Sequence, residues 1–395
     1  MIKYGCQDIT DEDVQAVLKT LKSEFLTQGP AIPKFENYIA SKVGAQHGIA
    51  VNSATSALHA ACLALDLGEG DWLWTSAISF VASANCGVFC SASIDFVDVN
   101  PCDFNICVEA LEEKLIHAKK LGKLPKVLVV VHMAGQSCNM FRISQLAQEY
   151  GFKIIEDASH AVGAKYRKNY VGSCVYSDIA VFSFHPVKII TTTEGGMALT
   201  NNAKLGKKLR AICSHGISRD LQRKVFEKEG PWFYEQQELG FNFRMTDIQA
   251  ALGLSQSKRL DDYISTRNLF AQNYNQELKG LPIILPEINP DCISSFHLYV
   301  IQFKTQKNRE LRRFVYEYLH SKGIGVNVHY FPIYLQPYYK KFGFKSGLCP
   351  NAELYYSRAL TLPLHPNLSA QDLMFVVKQL KNAIEIGSNE NENKY

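Results

Sequence analysis

The sequence lacks the features that mark several large classes of protein. No cluster of lysine and arginine suggests a nucleic-acid-binding surface, and the formal charge is only +4 over 395 residues. Charged residues make up 20% of the chain, which is slightly few, while 47% are hydrophobic, which is ample for a large core. We therefore expect a compact folded protein of two or three domains whose main partner is not nucleic acid.

Cysteine is present but shows no pairing pattern. The eleven cysteines are odd in number, scattered along the chain and never spaced as Cys-x-x-Cys. Several lie in apolar runs, as the free thiols of protein cores do. This pattern favours the cytoplasm and argues against a disulfide-stabilised secreted protein and against a structural zinc site, so we predict no metal.

A targeting segment and a membrane span are also lacking. The N-terminal residues contain no apolar stretch of the kind found in signal peptides. Residues 72–94 carry no charge and are long enough to cross a bilayer, but five serines, one threonine and one asparagine interrupt them. A strand followed by a buried helix explains this stretch better, so we predict no contact with a membrane.

What the sequence does contain, between about residues 48 and 200, is an alternation of strand and helix patterns. Residues 127–131, which follow Lys126, are an aliphatic run typical of a strand that is buried on both faces. Short connections between such elements predict a doubly wound α/β fold with a mostly parallel sheet and helices on both sides. Ligands of such sheets bind at the carboxyl ends of the strands.

The pattern changes beyond about residue 255. Residues 257–276 are typical of one long helix, and two strand patterns, LYVIQF and GVNVHYF, flank a further helix. Ser369 and Asp372 have the spacing of a capping box before the last helix. We predict a large domain over residues 1–255, a smaller α+β domain over 256–387 and a polar tail over 388–395.

Two side chains follow strand patterns of the large domain. Asp157 ends the run FKIIED, which is the usual ligand position, although an aspartate there is as often a helix N-cap. Lys188 follows IAVFSF and precedes IITTTEGG, which is uncharged up to Glu194. A lysine in an apolar, hydroxyl-lined pocket has a lowered pKa and can act as a nucleophile.

A third feature lies at residues 52–58, NSATSAL, where a strand pattern turns into a helix. Exposed amides and the hydroxyls of Ser53 and Thr55 would form an anion site, although an ordinary serine cap is the better explanation of this segment alone. The glycine motifs of dinucleotide and P-loop sites are absent. Anion site, carboxylate and lysine together fit pyridoxal 5′-phosphate (PLP), whose phosphate, ring nitrogen and aldehyde need these three groups.

Three longer segments carry a resemblance to a known family. EDASHAVGAKY, VFSFHPVKIITTTEGG and LGFNFRMTDIQAALGLSQ resemble signature blocks of the sugar aminotransferases of the DegT/DnrJ/EryC1/StrS family, and the likeness runs from about residue 4 to the last helix. It implies PLP-dependent transferase fold type I, as in aspartate aminotransferase. Family members that have histidine in place of the lysine act as dehydratases, so Lys188 favours transamination.

The resemblance also implies roles for individual residues. Lys188 would form the Schiff base and transfer the proton, Asp157 would pair with the ring nitrogen, His160 would lie near the ring and Phe80 would stack on it. The phosphate would be held by Ser53, Ala54, Thr55 and Ser183, and by Asn242 of the partner subunit. This last contact implies a homodimer with shared active sites.

The nucleotide-sugar pocket is the remaining part of the expected site. In the relatives it is shaped by segments that contain Tyr4, Leu26, Thr27, Gln28, His329 and Tyr330. His185 is a further candidate for substrate contact because it lies three residues before Lys188, and a structural role is its alternative.

The segments LTQGP, NSATSAL, SHG and VHYFPIY are most similar to the family branch that aminates UDP-linked sugars in pseudaminic acid biosynthesis. We therefore expect a transfer from L-glutamate to C4 of UDP-2-acetamido-2,6-dideoxy-β-L-arabino-hex-4-ulose. Another dTDP- or GDP-linked 3- or 4-keto-6-deoxy sugar is the alternative substrate. A non-catalytic protein of the same fold is the alternative outside enzymes, and the presence of both Lys188 and Asp157 argues against it.

Overall fold

The structure of the protein is a computed structural model, which describes residues 1–218, 230, 232–304 and 308–392. This part of the chain contains fifteen strands. Their bounds in chain order are β1 (His47–Val51), β2 (Trp72–Ser76), β3 (Ser93–Val97), β4 (Val127–Val131), β5 (Lys153–Asp157), β6 (Lys165–Tyr166), β7 (Asn169–Tyr170), β8 (Ile179–Ser183), β9 (Gly196–Thr200), β10 (Ile217–Ser218), β11 (Glu235–Gln236), β12 (Ile283–Ile284), β13 (Cys292–Ile293), β14 (Tyr299–Phe303) and β15 (Ala359–Leu362).

The α-helices alternate with these strands in the first half of the chain. Their bounds are α1 (Asp11–Leu21), α2 (Ala31–Val43), α3 (Ala54–Ala64), α4 (Ala82–Phe89), α5 (Val108–Leu121), α6 (Met140–Tyr150), α7 (Ala203–Ile212), α8 (Asp247–Ser257), α9 (Leu260–Glu277), α10 (Asn308–Ser321), α11 (Pro337–Lys340), α12 (Pro350–Arg358) and α13 (Ala370–Glu392).

A seven-stranded sheet in the order β1-β9-β8-β5-β4-β2-β3 forms the centre of the large unit. The pairs β2·β3, β2·β4, β4·β5 and β5·β8 are parallel, while β9 runs antiparallel to both β8 and β1. The chain therefore has the expected mostly parallel α/β sheet. Because β9 runs antiparallel to both of its neighbours, β1 runs parallel to β8. The strand β1 therefore ends at the same edge of the sheet as β5 and β8.

The two faces of the sheet are buried against different helices, as the continuous apolar runs predict. In β4, Val127 and Val129 belong to an apolar cluster that includes residues of α3 and α7. Leu128 and Val130 belong to a second cluster, which includes residues of α5 and α6. Each such side chain contributes about 1.5–3 kcal/mol when it is fully buried, so the sheet is stabilised from both sides.

The uncharged stretch 72–94 is a strand, a turn and a buried helix rather than a membrane span. It contains β2, α4 and the start of β3, and Trp74 at its first strand is 1% exposed. Among the described residues, no helix has the length and apolar character that a bilayer crossing requires. All eleven cysteines, none of which falls in the undescribed ranges, are free thiols.

The second half of the chain builds a smaller α+β unit around a three-stranded sheet, in the order β12-β14-β15. Its core combines this sheet with apolar residues of α9, α10 and α13. The chain's first residues also join this unit, because Ile2 forms a bridge with Ile324. The division near residue 255 stays a prediction, as does the tail, although the backbone of 388–392 continues α13.

One local prediction for this half was wrong. GVNVHYF is not a strand, because only Asn327 bridges a neighbouring chain segment, at Thr361, and the segment then leaves the sheet. The third strand is β15, which sequence reasoning missed. The long helix predicted over 257–276 is present as α9, although it begins at Leu260, and α8 precedes it with a Thr246–Gln249 capping box.

Helix α1 begins after Thr10, whose amide donates to the Asp13 carboxylate at 3.1 Å, as in a capping box. Several apolar side chains of this helix are exposed. Val14 is 50% exposed and Leu21 is 54% exposed, whereas Asp13 is buried with its Oδ2 2.6 Å from Arg259. An apolar face of α1 is therefore uncovered in the single chain.

Candidate active site

Three segments of the large unit meet at the carboxyl edge of the central sheet. Asp157 ends β5, Ser183 ends β8, and the residues after Val51 lead from β1 into α3. Gly196, the first residue of β9, pairs with both Val51 and Ser183. The sheet order thus brings together residues that are more than a hundred positions apart in sequence.

A cavity of about 560 Å³ opens at this edge. Twelve of the sixteen residues that the sequence analysis assigned to cofactor or substrate line it: Tyr4, Ser53, Ala54, Thr55, Phe80, Asp157, His160, Ser183, His185, Lys188, His329 and Tyr330.

The other four assigned residues do not line this cavity. Leu26 is exposed beside the start of α8, where its carbonyl accepts from the Asp247 amide at 3.0 Å. Thr27 and Gln28 are exposed next to it, and Thr27 bridges Thr246. Asn242 is also exposed.

Lys188 lies on a loop that is closed at its base. The Phe184 carbonyl accepts two hydrogen bonds, from the Thr192 amide at 2.9 Å and from the Thr191 hydroxyl at 3.0 Å. Ile189, beside the lysine, is 3% exposed. Burial lowers the pKa of Lys188 to about 8, although the negative charge of Asp157 acts in the opposite direction. The amine is therefore much closer to its neutral, nucleophilic form at pH 7 than an exposed lysine.

The lowered pKa of Lys188 predicts a pH-dependent reaction with an aldehyde. Only the neutral amine attacks, so the rate of PLP uptake by the apoprotein should rise from pH 6 and level off above about 9. Rapid-mixing absorbance at a series of pH values measures this rate. Asp157→Asn removes the negative charge that raises the pKa of Lys188, so the plateau of the uptake rate should begin at a lower pH. A rate that does not change between pH 6 and 9 would contradict the prediction.

Three buried histidines surround the lysine. The rings of His160 and His297 are 4.4 Å apart, and His160 Nε2 is 3.2 Å from the Tyr330 hydroxyl. Burial and the nearby Lys188 amine hold the pKa of His160 and His297 well below the usual range and lower that of His329 to about 3. All three rings are therefore neutral at pH 7, and none of them adds a positive charge beside Lys188.

Asp157 is 5% exposed and both of its oxygens have donors. Ser83 donates to Oδ2 at 2.6 Å, and the Ser159 amide donates to Oδ1 at 3.2 Å. In the described chain the next element after β5 is the short strand β6, and no helix begins at Asp157. The helix-cap alternative is therefore not what this carboxylate does.

At the start of α3, the geometry is compatible with both explanations of the NSATSAL segment, a serine cap and an anion site. Ser53 is the N-cap, because its hydroxyl accepts from the Ser56 amide at 3.1 Å. The first amides of a helix have no partner within it, so those of Ala54 and Thr55 are available to an anion at the cavity. The helix dipole adds to this attraction.

Gly196 allows β9 to pass close to this helix start. A Cβ at residue 196 would lie 2.6 Å from the Ala54 nitrogen. Gly196→Ala should destabilise the fold by about 1–3 kcal/mol through overpacking and weaken PLP binding as the amides shift. Thermal denaturation and PLP titration measure both effects. Gly68→Ala is the control, because a Cβ there meets no atom within 4 Å; equal behaviour of the two variants would contradict the prediction.

Comparison with known proteins adds to this geometry. The sequence profile of the DegT/DnrJ/EryC1/StrS aminotransferase family matches residues 7–381. The chain belongs to this family. A Campylobacter jejuni UDP-4-amino-4,6-dideoxy-N-acetyl-beta-L-altrosamine transaminase is 37% identical over 98% of both chains. The spore coat polysaccharide biosynthesis protein SpsC of Bacillus subtilis is 36% identical over 97% of both.

The fold agrees with that of solved members of the family. Helicobacter pylori PseC, described as an aminotransferase involved in the biosynthesis of pseudoaminic acid, has a TM-score of 0.87 and 32% identity. The likeness covers 97% of this chain and 99% of that one. Fold type I, expected from the sequence, is thereby confirmed. As a member of this family, the protein is a PLP-dependent sugar aminotransferase.

The residues of the cavity fit the cofactor of this family. His160 Nδ1 is buried and has no hydrogen-bond partner among the described residues, so it can bond a polar atom of the ring. The helix start offers free amides to a phosphate, Asp157 offers a fixed carboxylate, and Lys188 offers an amine. Sequence reasoning missed Ser79, Ser83, His297 and Asn327, which adjoin the site in space but belong to no motif it used.

Proposed function

We propose that this aminotransferase uses PLP to move an amino group from L-glutamate to the C4 ketone of a UDP-linked 2-acetamido-2,6-dideoxy-hex-4-ulose. The observation that carries the proposal is the presence in one cavity of Lys188, whose pKa is lowered to about 8, and of the buried carboxylate of Asp157. Bound PLP would supply an aldehyde for the lysine and a ring that accepts electrons.

The residues of this chain would divide the work. Ala54 and Thr55 amides hold the phosphate, and Asp157 holds the ring nitrogen in its protonated form. Lys188 removes the proton from the α-carbon of glutamate, and in the second half it returns a proton to C4 of the sugar. The three neutral histidines do not compete for that proton.

Space and polarity support a nucleotide sugar as the acceptor. The volume of about 560 Å³ lies within the range of about 300–1,000 Å³ for sites that take small ligands and cofactors. Tyr4, Asn327 and His329 form one wall. Phe80 is 58% exposed at the site, with its ring 6.4 Å from that of Tyr330, as an aromatic platform for a ring ligand would be.

A homodimer is part of the proposal. The uncovered face of α1 and the position of Asn242 outside its own cavity support an active site completed by a second subunit. Light scattering during size exclusion should give twice the mass of the chain, 44.4 kDa. Asn242→Ala should keep the dimer and lose PLP affinity. A monomer with full activity would contradict this part. We also propose that the enzyme works in the cytoplasm, where nucleotide sugars are made.

The experiment that tests the substrate is a visible spectrum of the protein with PLP. Glutamate should bleach the band of the bound cofactor, and the UDP-4-keto sugar produced by a 4,6-dehydratase should restore it. Aspartate and the dTDP-linked 4-keto sugar are the matched controls. Failure of the band to form would contradict PLP binding, and bleaching without recovery would reject this sugar.

A second acceptor has a specific observation in its favour. SpsC, named for spore coat polysaccharide biosynthesis, is as similar to this chain as the altrosamine transaminase. A different nucleotide-linked keto sugar is therefore the alternative, and recovery of the band with the dTDP sugar alone would support it.

A further inference from the structure

Two serines near the start of α4 form a chain of hydrogen bonds that ends on Asp157. Ser83 Oγ is 2.6 Å from Asp157 Oδ2, and Ser79 Oγ is 2.7 Å from Ser83 Oγ. Ser83 is fully buried and Ser79 is 4% exposed. Ser79 also lines the cavity, whereas Ser83 lies behind the carboxylate.

The direction of this chain follows from the chemistry of its end group. An ionised carboxylate only accepts hydrogen bonds, so Ser83 donates to Asp157. Its oxygen is then free to accept, and Ser79 donates to it. Hydrogen bonds to a charged acceptor are shorter and stronger than neutral ones. The second hydroxyl polarises the first and strengthens its bond to Asp157.

The effect on Asp157 is geometric as well as electrostatic. The Ser159 amide holds Oδ1 at 3.2 Å while Ser83 holds Oδ2. With a donor on each oxygen, the carboxylate cannot turn about its Cβ–Cγ bond without losing a bond. A carboxylate held in one orientation is the partner that a protonated ring nitrogen needs.

We propose that Ser83 is a positioning residue for the cofactor, which orients Asp157 toward the ring nitrogen, and that Ser79 supports it. The inference rests on the proposed use of PLP. Neither serine belongs to the residues expected to contact the ring or the phosphate, and their role acts through Asp157 alone.

The test compares Ser83→Ala with Ser257→Ala. Ser257 is also a buried helical serine, 1% exposed, but it donates to the Gly253 carbonyl at 2.6 Å, away from the cavity. The dissociation constant of PLP is measured by titrating each apoprotein. The protonation of the ring nitrogen is measured from the NMR shift of 15N-labelled PLP bound to each protein.

Ser83→Ala should weaken PLP binding roughly tenfold or more, as loss of a hydrogen bond to a charged group implies, and should move the 15N shift toward that of the unprotonated ring. Ser79→Ala should change both in the same direction but less, about two- to threefold. Ser257→Ala should match the wild type in both. Ser83→Cys keeps the shape of the side chain but replaces the hydroxyl with a weak donor. It takes the place of the alanine variant in both measurements if that variant does not fold.

Three results would overturn the inference. PLP affinity and 15N shift equal to those of the wild type in a folded Ser83→Ala or Ser83→Cys protein would show that Asp157 needs no donor there. A larger effect in Ser79→Ala than in Ser83→Ala would show that the chain does not end on Asp157. A wild-type protein that takes up no PLP would reject the proposed function itself, and the inference with it.

Discussion

Lys188→Ala is expected to lower the rate of amino transfer by at least about a thousandfold. The lysine is both the nucleophile toward the cofactor and the group proposed to transfer the proton, so its loss removes two steps at once. Amino transfer from glutamate to the keto sugar is measured by chromatography of the UDP-sugar. Turnover within tenfold of the wild type would refute the assignment of Lys188.

A matched lysine separates this effect from a general loss of positive charge. Lys168 is exposed in the turn between β6 and β7, away from the cavity. Lys168→Ala should keep normal turnover. The Lys188→Ala protein should still bind PLP through the amides of α3, but without a covalent link, which borohydride reduction and intact mass detect.

Asp157→Asn is expected to lower turnover about a hundredfold or more and to weaken PLP binding. The amide keeps the size of the side chain but loses the charge that stabilises a protonated ring, and preorganised charges of this kind contribute about 10²–10³ to rate. Turnover and PLP titration measure the two effects. An active Asp157→Asn enzyme with normal affinity would mean that this strand end has no role in the chemistry.

The control for this substitution lies at the opposite edge of the same sheet. Asp178 accepts from the Ile154 amide at 2.9 Å and from Lys153 at 3.1 Å, before the start of β8. Asp178→Asn alters a carboxylate of similar structural importance outside the cavity. It should change the thermal midpoint slightly and leave the cofactor affinity unchanged.

The sequence predicted the residues at strand ends because those positions depend on local patterns. Asp157 and Lys188 follow apolar runs that form strands. In a parallel sheet the carboxyl ends of the strands lie at one edge, whatever the arrangement of the helices. The Ser53 segment combined small residues with a cap, and the structure has both the cap and the available amides. The resemblance to the family then added the roles.

The sequence could not predict what depends on distant packing. Ser83 lies in an uncharged stretch and is 74 positions from Asp157, so it becomes a donor only because the fold places the start of α4 beside the end of β5. GVNVHYF alternates like a strand, yet it leaves the small sheet after Asn327. Its place is taken by β15, whose four residues carry too short a pattern to recognise.

The place of the antiparallel strand β9 in the central sheet has a consequence for folding during synthesis. Within the central sheet β1 pairs with β9 alone, His47 opposite Thr200, so during synthesis β1 waits for a partner some 150 residues downstream. Pairing across such a distance is slow, and the turn that begins α3 cannot settle before it. The phosphate site therefore cannot be completed before β9 has been made, and PLP stabilises only chains in which this pairing has formed.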